Sequence, residues 1–424
     1  MAYRTRILET RIADLVRQFP AIVLTGPRQA GKTFMLSEIA ARCLPPPVDT
    51  VSFDTPSEVD AFRRDPDLFF ANHNERMFLD EVQHCPDIFP FLKREVDRTK
   101  GRFRFLISGS QAFTLMKGVT ESMAGRAAIL DLWPFACVER CEAVRAGTAA
   151  DLLRYLRNPN ALADLLGQRF PLNDTRDVLP LMLAGGYPPM LLERRDPVWL
   201  SSYRQTYLDR DIRQLSNVHD LGRFDRFLTM VAARTAQVLN KSLLAAELGV
   251  DNKTIDHWLS MLETSYQVAR LQPWFANIAK RQVKRPKYHF ADIGLALHLV
   301  AIRDPDALLH SAAFGHFFET FVAMEVRKLF GHCGEPFGGW FWRANEQVEC
   351  GLVIPSGARE VPVEIKHAAK LRTDDLRGIR AFHDSVPESA HEGVVISMNA
   401  AVERLTPRIW NLPLGLLLNG LPPA

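Results

Sequence analysis

The octapeptide Gly26-Pro27-Arg28-Gln29-Ala30-Gly31-Lys32-Thr33 constrains this chain more than any other feature. It matches G-x-x-x-x-G-K-[ST] and directly follows the apolar run Ala21-Ile22-Val23-Leu24. A buried strand feeding a glycine-containing loop that opens a helix is the layout of a phosphate cradle. Backbone N–H groups of such a loop, aided by the helix N-terminus, point at a β-phosphate. Lys32 supplies a mobile positive charge and Thr33 a hydroxyl ligand for Mg²⁺, so the expected cofactors are ATP and Mg²⁺. The bland alternative is an ordinary glycine turn, which needs neither the strand before it nor the helix after it.

A second strand pattern, Arg76-Met77-Phe78-Leu79-Asp80-Glu81, ends in two carboxylates, and ligand-binding groups of an open α/β sheet sit at strand ends. Asp80 is placed to hold Mg²⁺ directly or through water, and Glu81 to orient and deprotonate the attacking water. The alternative is that both acids only cap the next helix. A third strand, beginning Phe103-Arg104-Phe105, ends in Ser108-Gly109-Ser110-Gln111, where Ser110 is suited to sensing a γ-phosphate or positioning its water. Within Ser122-Met123-Ala124-Gly125-Arg126, Arg126 is either a γ-phosphate sensor, a finger into a neighbouring subunit of a homo-oligomer, or a surface arginine. The catalytic candidates are thus Lys32, Glu81, Ser110 and Arg126, with Thr33 and Asp80 for the metal.

Residues 1–135 alternate helical and strand patterns, which predicts an α/β fold: a P-loop AAA-like core with a parallel sheet. Residues 136–220 read as a helical segment that includes Gly185-Gly186-Tyr187-Pro188-Pro189 and the charged helix around Tyr207-Leu208-Asp209-Arg210-Asp211. The net charge of the 424-residue chain is only +3, so any nucleic-acid contact must come from a local basic patch. The six cysteines are scattered without C-x-x-C or paired histidine spacing, which argues against a zinc site or a disulfide framework. No apolar run of 18 residues and no apolar leader are present; the expectation is a cytoplasmic protein with no membrane contact.

Residues 221–300 carry a compact signal. Ser242–Leu248, Gly249-Val250 and Asn252–Leu262 read as helix, glycine turn, helix, with Leu243, Leu244, Leu248, Ile255, Leu259 and Leu262 facing inward and Asn252, Lys253, Asp256 and His257 exposed. Tyr266–Trp274 and Lys287–Phe290 follow as two strands of a wing. From Arg270 to Lys287 there are six basic residues (Arg270, Lys280, Arg281, Lys284, Arg285, Lys287) and no acid, a stripe suited to phosphate contacts. Nucleic acid, DNA before RNA, is the expected partner, with Lys253, Lys284, Arg285 and Lys287 as contacts. The alternatives are a solvated loop and a protein-binding module.

Residues 301–424 read as a helix around 314–329, strands at 340–344, 348–354 and 361–366, a helix near 374–384 and a strand at 393–398. In Pro362-Val363-Glu364-Ile365-Lys366, period two puts Glu364 and Lys366 on one face. A carboxylate beside a lysine, near a helix acid (Glu319) and an acid of the preceding strand (Glu349), is how metal-dependent nucleases hold Mg²⁺.

Together the P-loop, Asp80-Glu81-Val82-Gln83, Ser108-Gly109-Ser110-Gln111, Gly125-Arg126, Tyr207–Asp211, Phe290-Ala291-Asp292-Ile293-Gly294-Leu295 and Phe318-Glu319-Thr320-Phe321-Val322 resemble the prokaryotic AAA-type ATPases that carry a C-terminal DUF4143 region. The resemblance covers nearly the whole chain. It implies an AAA-like ATPase domain, a winged-helix segment and a PD-(D/E)XK nuclease-like α/β domain. The family strand reads like E-V-D-F-V-I, whereas this chain has Glu349-Cys350-Gly351-Leu352-Val353-Ile354, so Gly351 stands where the metal-binding aspartate is expected. Glu349, two residues away on the same strand face, replaces it only if the metal moves. The expectation is a nuclease-like domain that does not cut.

Overall fold

The run Ala21-Ile22-Val23-Leu24 is apolar at every position because both of its faces are covered. In the computed structural model it forms β1 (Ala21–Thr25), the second strand from the edge of a five-stranded parallel sheet. The other strands are β2 (Val48–Ser52), β3 (Arg76–Asp80), β4 (Phe105–Ser108) and β5 (Ala127–Asp131), in the order β2-β3-β4-β1-β5. Period two sorts the side chains. Ala21 and Val23 join Met77, Leu79, Phe105 and Ile107 under the aromatic side chains Phe62, Phe69, Phe70 and Phe89. Ile22 and Leu24 join Phe78, Leu106 and Leu130 under the helices Leu8–Leu15 and Lys32–Cys43. Each fully buried Val, Leu or Ile stabilises the sheet by roughly 1.5–3 kcal/mol, so a run of this kind belongs inside a doubly covered parallel sheet.

The structure describes residues 3–110, 118–119, 121–140, 147–172, 174–193, 195–207, 212, 220–277 and 284–421. Gln111, Cys141, residues 208–211, Lys280 and Arg281 lie outside them. The chain divides into two units: Met1–Phe135 with Thr264–Tyr266 and Gly331–Glu335, and the remainder from Ala136.

The second unit is built on a nine-stranded mixed sheet, ordered β13-β14-β12-β11-β10-β9-β7-β8-β6. Its strands are β6 (Gln237–Val238), β7 (Val268–Pro273), β8 (Lys287–Phe290), β9 (Trp340–Asn345), β10 (Val348–Ser356), β11 (Arg359–Lys366), β12 (Gly393–Ser397), β13 (Glu403–Thr406) and β14 (Ile409–Pro413). The ribbon β6-β8-β7 is antiparallel, and its free edge on β7 pairs in parallel with β9 through Gln272 with Trp340 and Pro273 with Phe341. Segments 221–300 and 301–424 therefore share one sheet. That pairing satisfies an edge that would otherwise present open N–H and C=O groups.

Helices Leu221–Ala233, Lys241–Leu248 and Asn252–Thr264 meet around Phe224, Phe227 and Trp258, with ring centroids 5.2 to 5.7 Å apart. Asn240 caps the second by accepting from the Leu243 N–H, and Gly249 ends it in the left-handed region, φ 65°. Leu244, Leu248, Ile255, Leu259 and Leu262 are buried, but Leu243 is 49% exposed and does not face inward. It precedes Leu244 by one residue, and neighbours a hundred degrees apart cannot share a narrow helix face. Elsewhere in the second unit, Ile379 and Phe382 of the helix Arg377–Ser385 pack on Trp274, Trp342, Val353 and Val395. No helix among the described residues is long and apolar enough to cross a membrane.

Candidate functional site

The carboxyl ends of β1, β3 and β4 bring the first group of predicted residues together. Gly26 adopts φ 139°, and a Cβ there would lie 2.2 Å from the carbonyl oxygen of Leu132, so only glycine lets the loop leave β1 along this path. Pro27, Arg28, Gln29 (φ 62°) and Ala30, which is fully buried, carry the loop to Gly31. Gly31, left-handed at φ 93°, is the N-cap of Lys32–Cys43 and offers no side-chain cap. No side chain caps this helix start, which suits a phosphate, whereas Asn240, Asp292 and Asp304 cap helices of the second unit with their side chains.

Lys32 is buried and donates to the carbonyl oxygens of Gly26 and Pro27, at 2.9 and 2.8 Å. The Thr33 hydroxyl lies 3.2 Å from Asp80 Oδ1, and Ser108 donates to the same oxygen. Burial pushes the Asp80 carboxyl above its ordinary value, the Ser108 bond opposes that, and the Glu81 charge adds to it. Glu81 follows β3 in the left-handed region, φ 51° and ψ 44°. Its Oε2 accepts from Gln83 Nε2 and from the Ser110 hydroxyl, the latter at 3.1 Å. Burial raises the Glu81 pKa, but the Gln83 bond, the Lys32 charge, the Ser110 bond and the Arg28 charge together outweigh it and hold the carboxylate below its usual range. A glycine cradle, a hydroxyl beside a carboxylate and a lysine poised over the loop fit a Mg²⁺–triphosphate.

Several supporting residues carried no role in the sequence. Gln83 and Ser108 bond the two acids directly. Arg6 is 3% exposed and donates to Ala30 O at 3.1 Å and Trp133 O at 2.8 Å, bracing the loop from the N-terminal segment. Thr25, just before Gly26, donates to Asp131 Oδ1 at 2.7 Å, and the Tyr266 hydroxyl reaches the same oxygen at 2.6 Å. An arginine at the start of an amphipathic helix and a lone tyrosine leave no local pattern, so nothing short of the fold exposes them. Arg126 forms a paired contact with Asp97, Nε to Oδ1 at 2.8 Å and a second nitrogen to Oδ2 at 3.3 Å. Reaching a phosphate requires it to leave that carboxylate.

In the second unit four residues of the basic stripe, Arg270, Lys284, Arg285 and Lys287, are described. Arg270 pairs with Glu263 at 3.2 Å. Lys287, expected at a phosphate, is instead 2% exposed: it bonds Glu319 and Glu349, because β8 is an interior strand of the sheet and turns this side chain inward. Lys253, Lys284 and Arg285 are exposed.

Glu364 and Lys366 lie on one face of β11, 3.0 Å apart. Burial pushes the Glu364 carboxyl up to about 7, against the opposing charge of Lys366, and Glu319 and Glu349 add to the rise. Glu319 Oε1 would lie 3.3 Å from a Cβ on Gly351. The second oxygen of Glu349 accepts from Arg343 Nε at 2.7 Å.

A family model described as an AAA domain matches residues 18–141, one for a domain of unknown function (DUF8612) residues 175–306, and one for DUF4143 residues 314–417. Among solved structures, a RuvB variant of Thermotoga maritima is 18% identical with a TM-score of 0.27, over 62% of this chain and 86% of that one. The Hsp104–ADP complex of S. cerevisiae is 13% identical with a TM-score of 0.29, over 78% and 48%. Neither likeness bears on the assignment. Uncharacterized proteins of Mycobacterium tuberculosis (Rv2008c) and Mycobacterium bovis (Mb2031c) are each 31% identical over 373 residues, 87% of this chain and 75% of theirs. By these relatives and by the matched domains, the chain belongs to the prokaryotic AAA-type ATPases that carry a C-terminal DUF4143 domain.

Proposed function

We propose that this protein hydrolyses ATP with Mg²⁺ and that its nucleotide state governs binding to nucleic acid, DNA before RNA. The observation that carries the first half is the convergence of an uncapped helix N-terminus at Gly31, the Thr33–Asp80 pair and the Glu81–Ser110–Gln83 group at neighbouring strand ends. ATP–Mg²⁺, when bound, supplies the transferable phosphoryl group and neutralises its charge. Lys32 would exchange two loop carbonyls for phosphate oxygens, and Thr33 and Asp80 would hold the metal. Glu81, kept ionised by its neighbours, takes a proton from the attacking water, which Ser110 helps to orient.

Titrating a fluorescent ATP analogue and following phosphate release tests this directly. Lys32→Ala is expected to lose most triphosphate affinity, whereas Glu81→Gln keeps affinity and drops turnover by about 10²-fold or more. Equal binding and equal turnover in all three proteins would contradict the assignment.

The nucleic-acid half draws support from two helices joined by a glycine turn ahead of an antiparallel ribbon, an order that would suit a winged helix, with Lys253, Lys284 and Arg285 in solvent. A protein partner is the second reading, and the exposed Leu243 favours it, since an apolar side chain on such a helix suits an apolar groove better than a phosphate.

A further inference from the structure

The carboxylates of the C-terminal sheet converge as though around a cation, and the chain supplies one. Lys287 Nζ lies 3.0 Å from Glu319 Oε1, bonds Glu349 Oε1, and stands 5.4 Å from the centroid of the Phe341 ring. It is 2% exposed, and β8 with its two neighbours β6 and β7 fixes its position. Part of the remaining carboxylate capacity is also committed. Arg343 takes the other oxygen of Glu349, and Lys366 takes one oxygen of Glu364.

Three carboxylates therefore face Lys287, Lys366 and Arg343. A divalent ion entering this set meets a cluster with no net negative charge. It must also expel a buried ammonium and gather near-octahedral oxygen ligands, and Gly351 contributes none. Among the described residues no group of three or more His, Cys, Asp or Glu is arranged to hold a metal ion. One oxygen of the cluster, Glu364 Oε2, is buried without a hydrogen-bond partner.

We propose that Lys287 is the resident cation of the Glu319–Glu349–Glu364 cluster, standing where a divalent metal would be needed, so that this sheet takes up no metal and cleaves no nucleic acid. The inference is independent of the ATPase reading, because none of these residues belongs to the nucleotide site.

Mn²⁺ binding to the full chain without nucleotide, followed by electron paramagnetic resonance, tests it in wild type, Glu319→Gln, Lys287→Met and Lys287→Met/Glu319→Gln. Wild type and Glu319→Gln are expected to bind Mn²⁺ indistinguishably. Lys287→Met is expected to gain one further equivalent that the double variant loses, and Mn²⁺ is expected to raise its melting temperature. Should Lys287→Met fail to fold, wild type against Glu319→Gln decides alone, with Lys287→Arg expected to fold and bind like wild type. A Mn²⁺ ion bound by wild type and lost in Glu319→Gln overturns the proposal, as does a folded Lys287→Met that gains none.

Discussion

Glu81 holds a backbone conformation that side-chain-bearing residues adopt at a cost of about 1–3 kcal/mol, and it does so at the end of the strand that carries Asp80. The turn presents its carboxylate to Gln83 and Ser110, which hold it ionised. Removing the Gln83 donor in Gln83→Leu lets the Glu81 pKa rise. The acid limb of the pH–rate profile is then expected to move to higher pH, while a limb that stays in place would make Gln83 a packing residue only. Glu364 carries a pH effect of its own. Its folded pKa of about 7 lies above the value of 4.5 for a free glutamate, so between these values the folded chain holds a proton that the unfolded chain has released. Stability therefore falls as pH rises from about 4.5 to 7, by on the order of 2–3 kcal/mol. Glu364→Gln should flatten that slope in denaturant melts; an unchanged slope would assign it to other groups. Legibility at this scale depends on locality. Lys32, Thr33, Asp80 and Glu81 sit in short motifs whose chemistry is nearly self-contained, whereas Lys287 takes its meaning from Glu319 and Glu349, 32 and 62 positions away.

At the scale of elements, the strand, loop and helix from Ala21 to Cys43 form where the sequence places them, because the apolar run, the two glycines and the uncapped helix start are each local signals. Strand β13, β14 and the two-residue β6 carried no comparable signal. Trp410 and Leu412 in β14 are buried and β12 and β13 flank that strand, but an isolated five-residue run does not reveal its neighbours. Within the basic stripe Lys287 departs from expectation for a related reason: charge counted along a chain ignores that strand residues alternate in direction and that interior strands have no solvent edge. Among the described residues of the stripe, Arg270, Lys284 and Arg285 remain exposed, the last two just before β8. Replacing both with Ala is expected to weaken nucleic-acid binding alike for all sequences and to reduce the slope of log K against log salt by about 1–2. Filter-binding or anisotropy titrations across salt measure this, and an unaltered slope would move the contact elsewhere or favour a protein partner.

For the whole molecule, the two units carry different chemistry. The first places phosphate-binding groups at the carboxyl ends of a parallel sheet; the second joins a helix–turn–helix, an antiparallel ribbon and the C-terminal strands in one continuous sheet. That continuity ties exposed bases beside β8 to the same strand that carries Lys287 into the carboxylate cluster. The proposed coupling between nucleotide and nucleic acid would be a free energy shared by two sites, so it must act in both directions. Measuring the Kd for double-stranded DNA of the Glu81→Gln protein at fixed salt, first with ATP–Mg²⁺ and then with ADP–Mg²⁺, tests it most directly. The account predicts Kd values that differ by about 5-fold or more, with ATP affinity shifted by the same factor when DNA is present. Identical DNA affinities in the two nucleotide states, or no DNA binding in either, would contradict it.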